Sequence, residues 1–138
     1  MQKTYEDYND IADFYLVYIK EAHAEDSNRP VGYAKELGIK KHTNFGERCQ
    51  VAERLFADKE LTMPCLVDGM NDEANKAYHA YPDRIFVIRK DGKLAVAAKR
   101  GPFGFKPALN ATGEWLAQFR RIGTEPSLVA PAETKAGQ

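Results

Sequence analysis

The feature that most constrains the fold is an apolar segment that ends abruptly in polar residues. Residues 14–19 read Phe-Tyr-Leu-Val-Tyr-Ile, and Glu21 and His23 follow within four positions. Continuous runs of this kind are typical of strands buried in an α/β sheet, in which ligands bind just beyond the carboxyl ends of the strands. The segment therefore predicts a buried strand over about residues 13–19 with a functional site directly after it.

The rest of the chain predicts an alternation of helices and strands. Apolar residues at helical spacing predict a helix over residues 44–58, with Thr43 or Asn44 capping its start together with Glu47. The segment Lys90-Asp91-Gly92 predicts a hairpin. The remaining predictions are helices ending at 10, over 71–80 and over 107–121, strands over 65–67, 84–88 and 93–97, and a long loop over 21–41 with room for one helical turn. In the last helix, the predicted buried contacts are Leu109, Trp115, Leu116 and Phe119.

This order of elements indicates the fold class. Strands that alternate with helices favour parallel pairing, and a hairpin adds an antiparallel edge. The sequence therefore predicts an α/β domain with a mixed sheet, a C-terminal β-hairpin and flanking helices. Residues 122–138 are dominated by Pro, Ala, Glu, Thr and Gly, a composition that predicts a disordered tail.

Composition excludes some classes of partner. The 138 residues include twenty basic and twenty acidic side chains, so no basic excess indicates a nucleic acid or an anionic membrane as partner. No apolar run approaches the roughly 20 residues of a membrane span. The default expectation is a cytoplasmic protein, although a targeting segment would be lost if the N-terminus were incomplete.

The two cysteines, Cys49 and Cys65, do not form the pattern of a disulfide framework or a zinc site. No metal site is predicted. Cys65 opens a predicted strand, where two interpretations are open. It is either a buried apolar side chain or a thiol that resolves an oxidised nucleophile.

Three segments in order resemble one known family. Residues 14–23, residues 65–75 and residues 99–105 are similar to motifs of the iodothyronine deiodinases, which are selenium-dependent reductive dehalogenases with a thioredoxin-like fold. The resemblance runs from about residue 5 to residue 119. It implies a thioredoxin-like domain over residues 1–121, no bound cofactor, a halogenated aromatic substrate and a thiol reductant as electron donor.

The nucleophile of that family is not found in this sequence. In the family, a selenocysteine or cysteine follows the first strand, ahead of the helix that precedes the segment matching residues 14–23. Residues 1–10 contain neither cysteine nor serine. We therefore expect an N-terminally incomplete domain that lacks the first strand and is inactive by itself, as when a reading frame begins after a selenocysteine codon.

The chemistry of reductive dehalogenation indicates which residues would act. A selenol or thiol attacks as its anion, and a proton must reach the carbon that loses its halogen. Glu21 and His23, with Tyr18 as a hydroxyl link, are predicted to handle that proton, and the resemblance implies the same roles. The alternative is that Glu21 and His23 are a solvated pair that only ends a strand.

The resemblance also implies a substrate clamp. It assigns His42 to the phenolic end of the substrate and Arg100 to the opposite end, where a guanidinium would bind an oxyanion in bidentate fashion. Otherwise His42 and Arg100 are surface residues. Pro82 lies where thioredoxin-like folds often keep a cis proline, and its alternative role is to stop a helix.

One departure from the family leaves the substrate open. After His23 the chain reads Ala-Glu-Asp-Ser-Asn, where the family has an Asp-Gly-Trp motif. Three hypotheses therefore stand: a deiodinase-like selenol or thiol oxidoreductase, a peroxiredoxin-like peroxide reductase, and a non-catalytic module that binds an aromatic acid. Family members dimerise, so a homodimer is also an open prediction.

Overall fold

The computed structural model describes residues 1–30 and 32–126. The helices are α1 (Gln2–Tyr8), α2 (Gly32–Glu36), α3 (Phe45–Asp58), α4 (Glu73–Tyr78) and α5 (Phe105–Ile122). The strands are β1 (Leu16–Tyr18), β2 (Cys65–Val67), β3 (Phe86–Ile88) and β4 (Leu94–Ala97). The short helix α2 lies within the predicted loop over residues 21–41, whereas the other elements follow the predicted order, and the mixture of helices and strands confirms the α/β class. Residues 127–138, which make up most of the predicted tail, lie outside the described residues.

The chain divides into two compact units. The N-terminal unit is Gln2–Tyr81, and the C-terminal unit comprises residues 82–126 of the described part together with Met1. Each unit has its own two-stranded sheet, β1 with β2 in the first and β3 with β4 in the second. Both predicted kinds of pairing are present, although the described strands do not join into the one mixed sheet that was predicted. A single domain over residues 1–121 stays a prediction.

The sheet of the N-terminal unit is parallel. Leu16 lies opposite Cys65, and Tyr18 lies opposite Val67. The strand β1 is shorter than predicted because its partner is short. Backbone hydrogen bonds close both ends of this short pair: the Leu16 N–H donates to the Pro64 carbonyl oxygen and the Asp68 N–H donates to the Tyr18 carbonyl oxygen, each at 2.9 Å. Since parallel strands end at the same edge, the segments that follow Tyr18 and Val67 emerge side by side.

The start of α3 has the predicted capping chemistry. Asn44 is the N-cap residue, and its side-chain oxygen accepts a hydrogen bond from the Glu47 N–H at 3.0 Å. The Glu47 carboxylate in turn accepts from the Thr43 N–H at 2.7 Å. Of the apolar residues whose helical spacing predicted α3, Ala52 is buried, together with Arg48, whereas Phe45 is 50% exposed.

The C-terminal unit is built on the predicted hairpin. Phe86 lies opposite Ala97 and Val87 opposite Val96, and a bulge separates Val87 from Ile88. Gly92 closes the turn with φ of +79°, a conformation that glycine adopts without steric cost. The hairpin prediction is confirmed.

An apolar cluster holds α5 to this hairpin. Its buried members are Ile85, Ala98 and Ala108, and Met1, Phe105 and Leu109 pack against them. Further along α5, Trp115 and Leu116 are buried as predicted. The helix is followed by Gly123 in a left-handed conformation, which is a common helix stop.

Of the two interpretations of Pro82, a cis peptide bond before it is wrong. In the described part of the chain, the peptide bond that is cis is Gly101–Pro102. The helix α4 has already ended at Tyr78, where His79 takes a left-handed conformation. None of the helices in the described ranges is both long and apolar enough to cross a membrane.

Candidate functional site

A buried tyrosine and a histidine meet at the carboxyl end of β1. Tyr18 is the last residue of β1 and is 8% exposed. Its hydroxyl oxygen lies 3.1 Å from Nε2 of His42, which precedes α3. The ring centroids are 5.8 Å apart. The structure therefore pairs two predicted site residues to which the sequence had given separate roles.

The surroundings keep this pair uncharged. Burial raises the pKa of the Tyr18 hydroxyl, and the negative charge of Glu21 raises it further against the opposing effect of Arg48. Burial lowers the pKa of His42, and the Arg48 guanidinium adds to this effect against the carboxylates of Glu21 and Glu47. Near neutral pH the pair is a protonated phenol beside a neutral imidazole. Such a pair can pass a proton without leaving a buried charge unpaired.

The other two predicted relay residues make contacts with their own loop. The Glu21 carboxylate accepts a hydrogen bond from the His23 N–H at 3.0 Å. His23 is exposed, and its Nδ1 lies 3.0 Å from the carbonyl oxygen of Arg29. Because a carbonyl oxygen only accepts, Nδ1 must be the protonated nitrogen. The hydrogen-bond partner of Tyr18 is thus His42, whereas within residues 1–30 and 32–126 Glu21 and His23 form hydrogen bonds inside the segment 21–29.

His23 instead lines a cleft of ≈ 380 Å³. The other lining residues are Ala22, Ser27, Asn28, Arg29, Lys41 and Tyr81. The Tyr81 hydroxyl donates a hydrogen bond to the Ala22 carbonyl oxygen at 3.3 Å. An aromatic ring therefore lines the cleft although the family's tryptophan after His23 is absent. No local sequence signal placed Tyr81 there.

A buried arginine that the sequence reasoning missed supports this region. The Arg48 side chain is 4% exposed, and its Nη1 pairs with the Asp72 carboxylate at 3.2 Å. The same nitrogen donates to the carbonyl oxygens of Asp68 at 3.0 Å and Gly69 at 2.7 Å. Lys20, just after β1, binds the second oxygen of Asp72 at 2.8 Å. The network joins the segment after β1, the helix α3 and the loop after β2.

The charges in this network are mutually compensated. Burial by itself would raise the pKa of Asp72, but Lys20 and Arg48 together lower it. Asp68 is buried, and its two carboxylate oxygens accept the N–H groups of Ala74 and Asn75 at 3.0 and 2.9 Å. These bonds satisfy free donors at the start of α4. The sequence feature that could have indicated this network is Arg48, an arginine on the buried side of α3, together with Asp68 and Asp72, which follow β2.

The two remaining predicted residues lie elsewhere. Cys65 is exposed and begins β2, so its interpretation as a buried apolar side chain is wrong. It lies at the amino end of the parallel pair, whereas Tyr18 lies at the carboxyl end. Partial desolvation raises the pKa of the Cys65 thiol although the residue is exposed, and nearby Cys49 raises it further, so the reactive thiolate is disfavoured. Arg100 is an exposed residue in the C-terminal unit, after β4.

Within residues 1–30 and 32–126, no group of three or more His, Cys, Asp or Glu residues is placed to hold a metal ion.

Comparison with known proteins identifies the family. A family model described as iodothyronine deiodinase matches residues 1–119. The type I iodothyronine deiodinase of Xenopus laevis is 35% identical over 105 residues, covering 76% of this chain and 40% of the relative. The type II iodothyronine deiodinase of Homo sapiens is 34% identical over 118 residues, covering 83% and 42%. The thyroxine 5-deiodinase of Gallus gallus is 35% identical over 123 residues, covering 89% and 45%.

The chain spans less than half of the length of each of these relatives. The family match nevertheless covers the strands and helices of both units, from α1 to within α5. This chain belongs to the iodothyronine deiodinase family.

Proposed function

We propose that this protein is an oxidoreductase that removes iodine reductively from an iodinated aromatic compound. One observation carries the proposal beyond family membership: a buried, uncharged Tyr18–His42 pair lies at the carboxyl end of β1. In α/β folds this edge is where ligands bind. Proton delivery to a carbon is the part of the reaction that such a pair can perform.

The proposed reaction balances as follows. A selenolate or thiolate takes the iodine as a formal cation, and the ring carbon that loses it takes a proton. A dithiol reductant then attacks the resulting chalcogen–iodine bond, releases iodide and is oxidised to a disulfide. The proton for carbon would come from the Tyr18 hydroxyl, which His42 orients and reprotonates.

The roles of other residues follow from their contacts. Glu21 increases the affinity of both Tyr18 and His42 for a proton, which suits a carboxylate that supports a relay without itself joining the hydrogen bond. The reacting chalcogen is proposed to come from sequence encoded upstream of Met1. Cys65 is a poor candidate for it, because its thiol pKa is raised and it lies at the opposite end of β1 and β2.

The test begins with the DNA upstream of the Met1 codon. We expect an in-frame strand followed by a UGA or cysteine codon. The full gene product, with a dithiol as reductant, should then release iodide from a diiodinated phenol. Tyr18→Phe and His42→Gln should each lower kcat by about 100-fold, within the range for lost proton transfer.

A matched control variant distinguishes a loss of kcat caused by lost proton transfer from one caused by lower stability. Tyr15→Phe removes a hydroxyl from a residue that precedes β1 and is 62% exposed, and it should leave kcat unchanged. A full gene product that consumes peroxide but releases no iodide would instead establish a peroxide reductase. A product with no upstream chalcogen that binds iodinated phenols without turnover would establish a binding module.

A further inference from the structure

A second cleft lies at the amino end of the parallel pair, opposite to the candidate active site. It has a volume of ≈ 290 Å³, and its lining includes Tyr5 of α1, Asp13 and Phe14 just before β1, and Pro64 just before β2. All of these residues belong to the N-terminal unit. The cleft is therefore separate from the residues to which the dehalogenation chemistry is assigned.

Two aromatic rings form part of the wall of this cleft. The centroids of the Tyr5 and Phe14 rings lie 5.7 Å apart, and the ring planes are inclined at 78°. In this edge-to-face geometry, the ring that presents its edge keeps both of its faces free of the other ring. The faces of aromatic rings are electron-rich and attract cations. The wall therefore suits a cation that also has apolar surface.

A carboxylate is available beside these rings. Asp13 is exposed, and within residues 1–30 and 32–126 no hydrogen bond or ion pair engages its side chain. None of the residues that line the cleft is Lys, Arg or His. The surrounding segment has the same sign of charge, because residues 4–19 contain four carboxylates and no basic side chain. Lys3 pairs with one of these carboxylates, Asp7. A concave site with charge of one sign attracts counter-ions, which here are cations.

The supply of hydrogen-bond acceptors decides which kind of ammonium group fits. A primary ammonium group has three N–H donors to satisfy, whereas a quaternary ammonium group has none. The side chains of Asp13 and Asn9 offer carboxylate and amide oxygens in the lining, but the Pro64 carbonyl oxygen already accepts the Leu16 N–H at 2.9 Å. A quaternary group leaves no donor unsatisfied in the cleft, and both the carboxylate and the ring faces attract it.

We infer that this cleft binds a small quaternary ammonium ion, whose charge lies beside Asp13 while its methyl groups pack against the rings of Tyr5 and Phe14. The volume of ≈ 290 Å³ selects a ligand of few atoms, because sites for larger ligands occupy roughly 300–1,000 Å³. Such a group occurs both in free small cations and in the headgroups of some phospholipids. The inference does not depend on the proposed function.

Two probes of the same shape isolate the role of charge. Choline has a quaternary nitrogen, and the neutral alcohol of the same shape has a carbon atom in its place. In titrations of this chain followed by NMR, choline should bind about fivefold more tightly than the neutral alcohol, and its affinity should fall as salt is added. Cosedimentation of the protein with phosphatidylcholine vesicles would identify the lipid headgroup as the source. Binding of choline without cosedimentation would identify a free cation.

Variants assign the binding to the cleft. Asp13→Asn keeps the size of the side chain and removes its charge, so choline should bind about fivefold more weakly. Asp10→Asn makes the same change at a nearby exposed residue that does not line the cleft, and it should leave the affinity unchanged. Phe14→Leu removes one ring and should weaken binding about threefold. Thermal melts check that each variant is folded, which the exposure of Asp13 favours for Asp13→Asn.

Three results would overturn the inference. They are equal affinities for choline and the neutral alcohol, no detectable binding of choline, and a loss of affinity in Asp10→Asn equal to that in Asp13→Asn. None of these measurements involves an iodinated compound, a reductant or turnover. The inference and the proposed function can therefore fail independently of each other.

Discussion

The two units of this protein are stabilised by different interactions. In the N-terminal unit, β1 and β2 pair over only three residues each, and Val17 and Leu66 are 41% and 51% exposed. Charged groups and backbone carbonyls around Arg48 bind its loops together. In the C-terminal unit, by contrast, α5 packs on the hairpin through apolar side chains.

This difference has a functional meaning. The unit that contains the candidate site depends on directional contacts, which hold loop segments in one arrangement. The other unit depends on apolar burial, which stabilises without specifying loop geometry. Polar side chains should therefore raise the free energy of unfolding of the N-terminal unit, and buried polar atoms without partners should lower it in the C-terminal unit. Four substitutions test this contrast.

The largest expected effect is in the C-terminal unit. Trp115→Ala removes a side chain that is 3% exposed, and the lost contacts and resulting cavity should cost roughly 3–5 kcal/mol of unfolding free energy. Urea denaturation measures this. Phe103→Ala, at a residue that is 92% exposed, should change stability by less than about 0.5 kcal/mol. Equal effects of the two substitutions would contradict apolar burial as the main source of stability.

The corresponding substitution in the N-terminal unit is Arg48→Met. It leaves two loop carbonyls and one side of Asp72 without their donor, and should cost about 3 kcal/mol. The loss is limited because Lys20 still binds Asp72. Arg54→Met breaks only an exposed pair with Asp58 and should cost less than about 0.5 kcal/mol. If Arg48→Met were equally mild, the network would not be what stabilises this unit.

A gain in stability is expected from Thr112→Val on α5. Thr112 is buried, and its hydroxyl has no hydrogen-bond partner among the described residues. Replacing that hydroxyl with a methyl group should therefore stabilise the protein by about 1 kcal/mol, measured by urea denaturation. Thr124→Val, at an exposed position, should have no measurable effect. Destabilisation by Thr112→Val would show that the hydroxyl has a partner in solution.

The smallest effect concerns pH and His42. Its pKa in the folded protein lies below the ordinary value of 6.5, so the unfolded chain binds more protons. Stability is therefore fully present above about pH 6.5 and falls as the pH drops towards the folded pKa. The change should stay below about 1 kcal/mol because water screens the partly exposed imidazole.

Comparison of variants isolates that contribution. The dependence of Tm on pH should be reduced in His42→Gln and retained in His79→Gln, which changes an exposed histidine. A pH dependence that is unchanged in His42→Gln would mean that the imidazole is not desolvated in the fold.

Much of the fold could be read from local sequence patterns. The apolar run predicted β1, the Asn44 and Glu47 pair predicted the start of α3, and Gly92 predicted the hairpin. Each of these depends on residues that are neighbours in sequence, so backbone propensity and short-range hydrogen bonds decide them. The family was recognisable for a related reason, since its motifs are contiguous.

Contacts between distant residues were decided only by the tertiary structure. Tyr18 and His42 are separated by 24 positions, Arg48 and Asp72 by 24, and Tyr81 and Ala22 by 59. The sequence by itself determined the mixed α/β class, the family and most of the candidate residues. Which of those residues face one another was decided by the parallel pairing of β1 with β2, because that register brings separate loops to one edge. No local sequence pattern encodes contacts between residues so far apart in the chain.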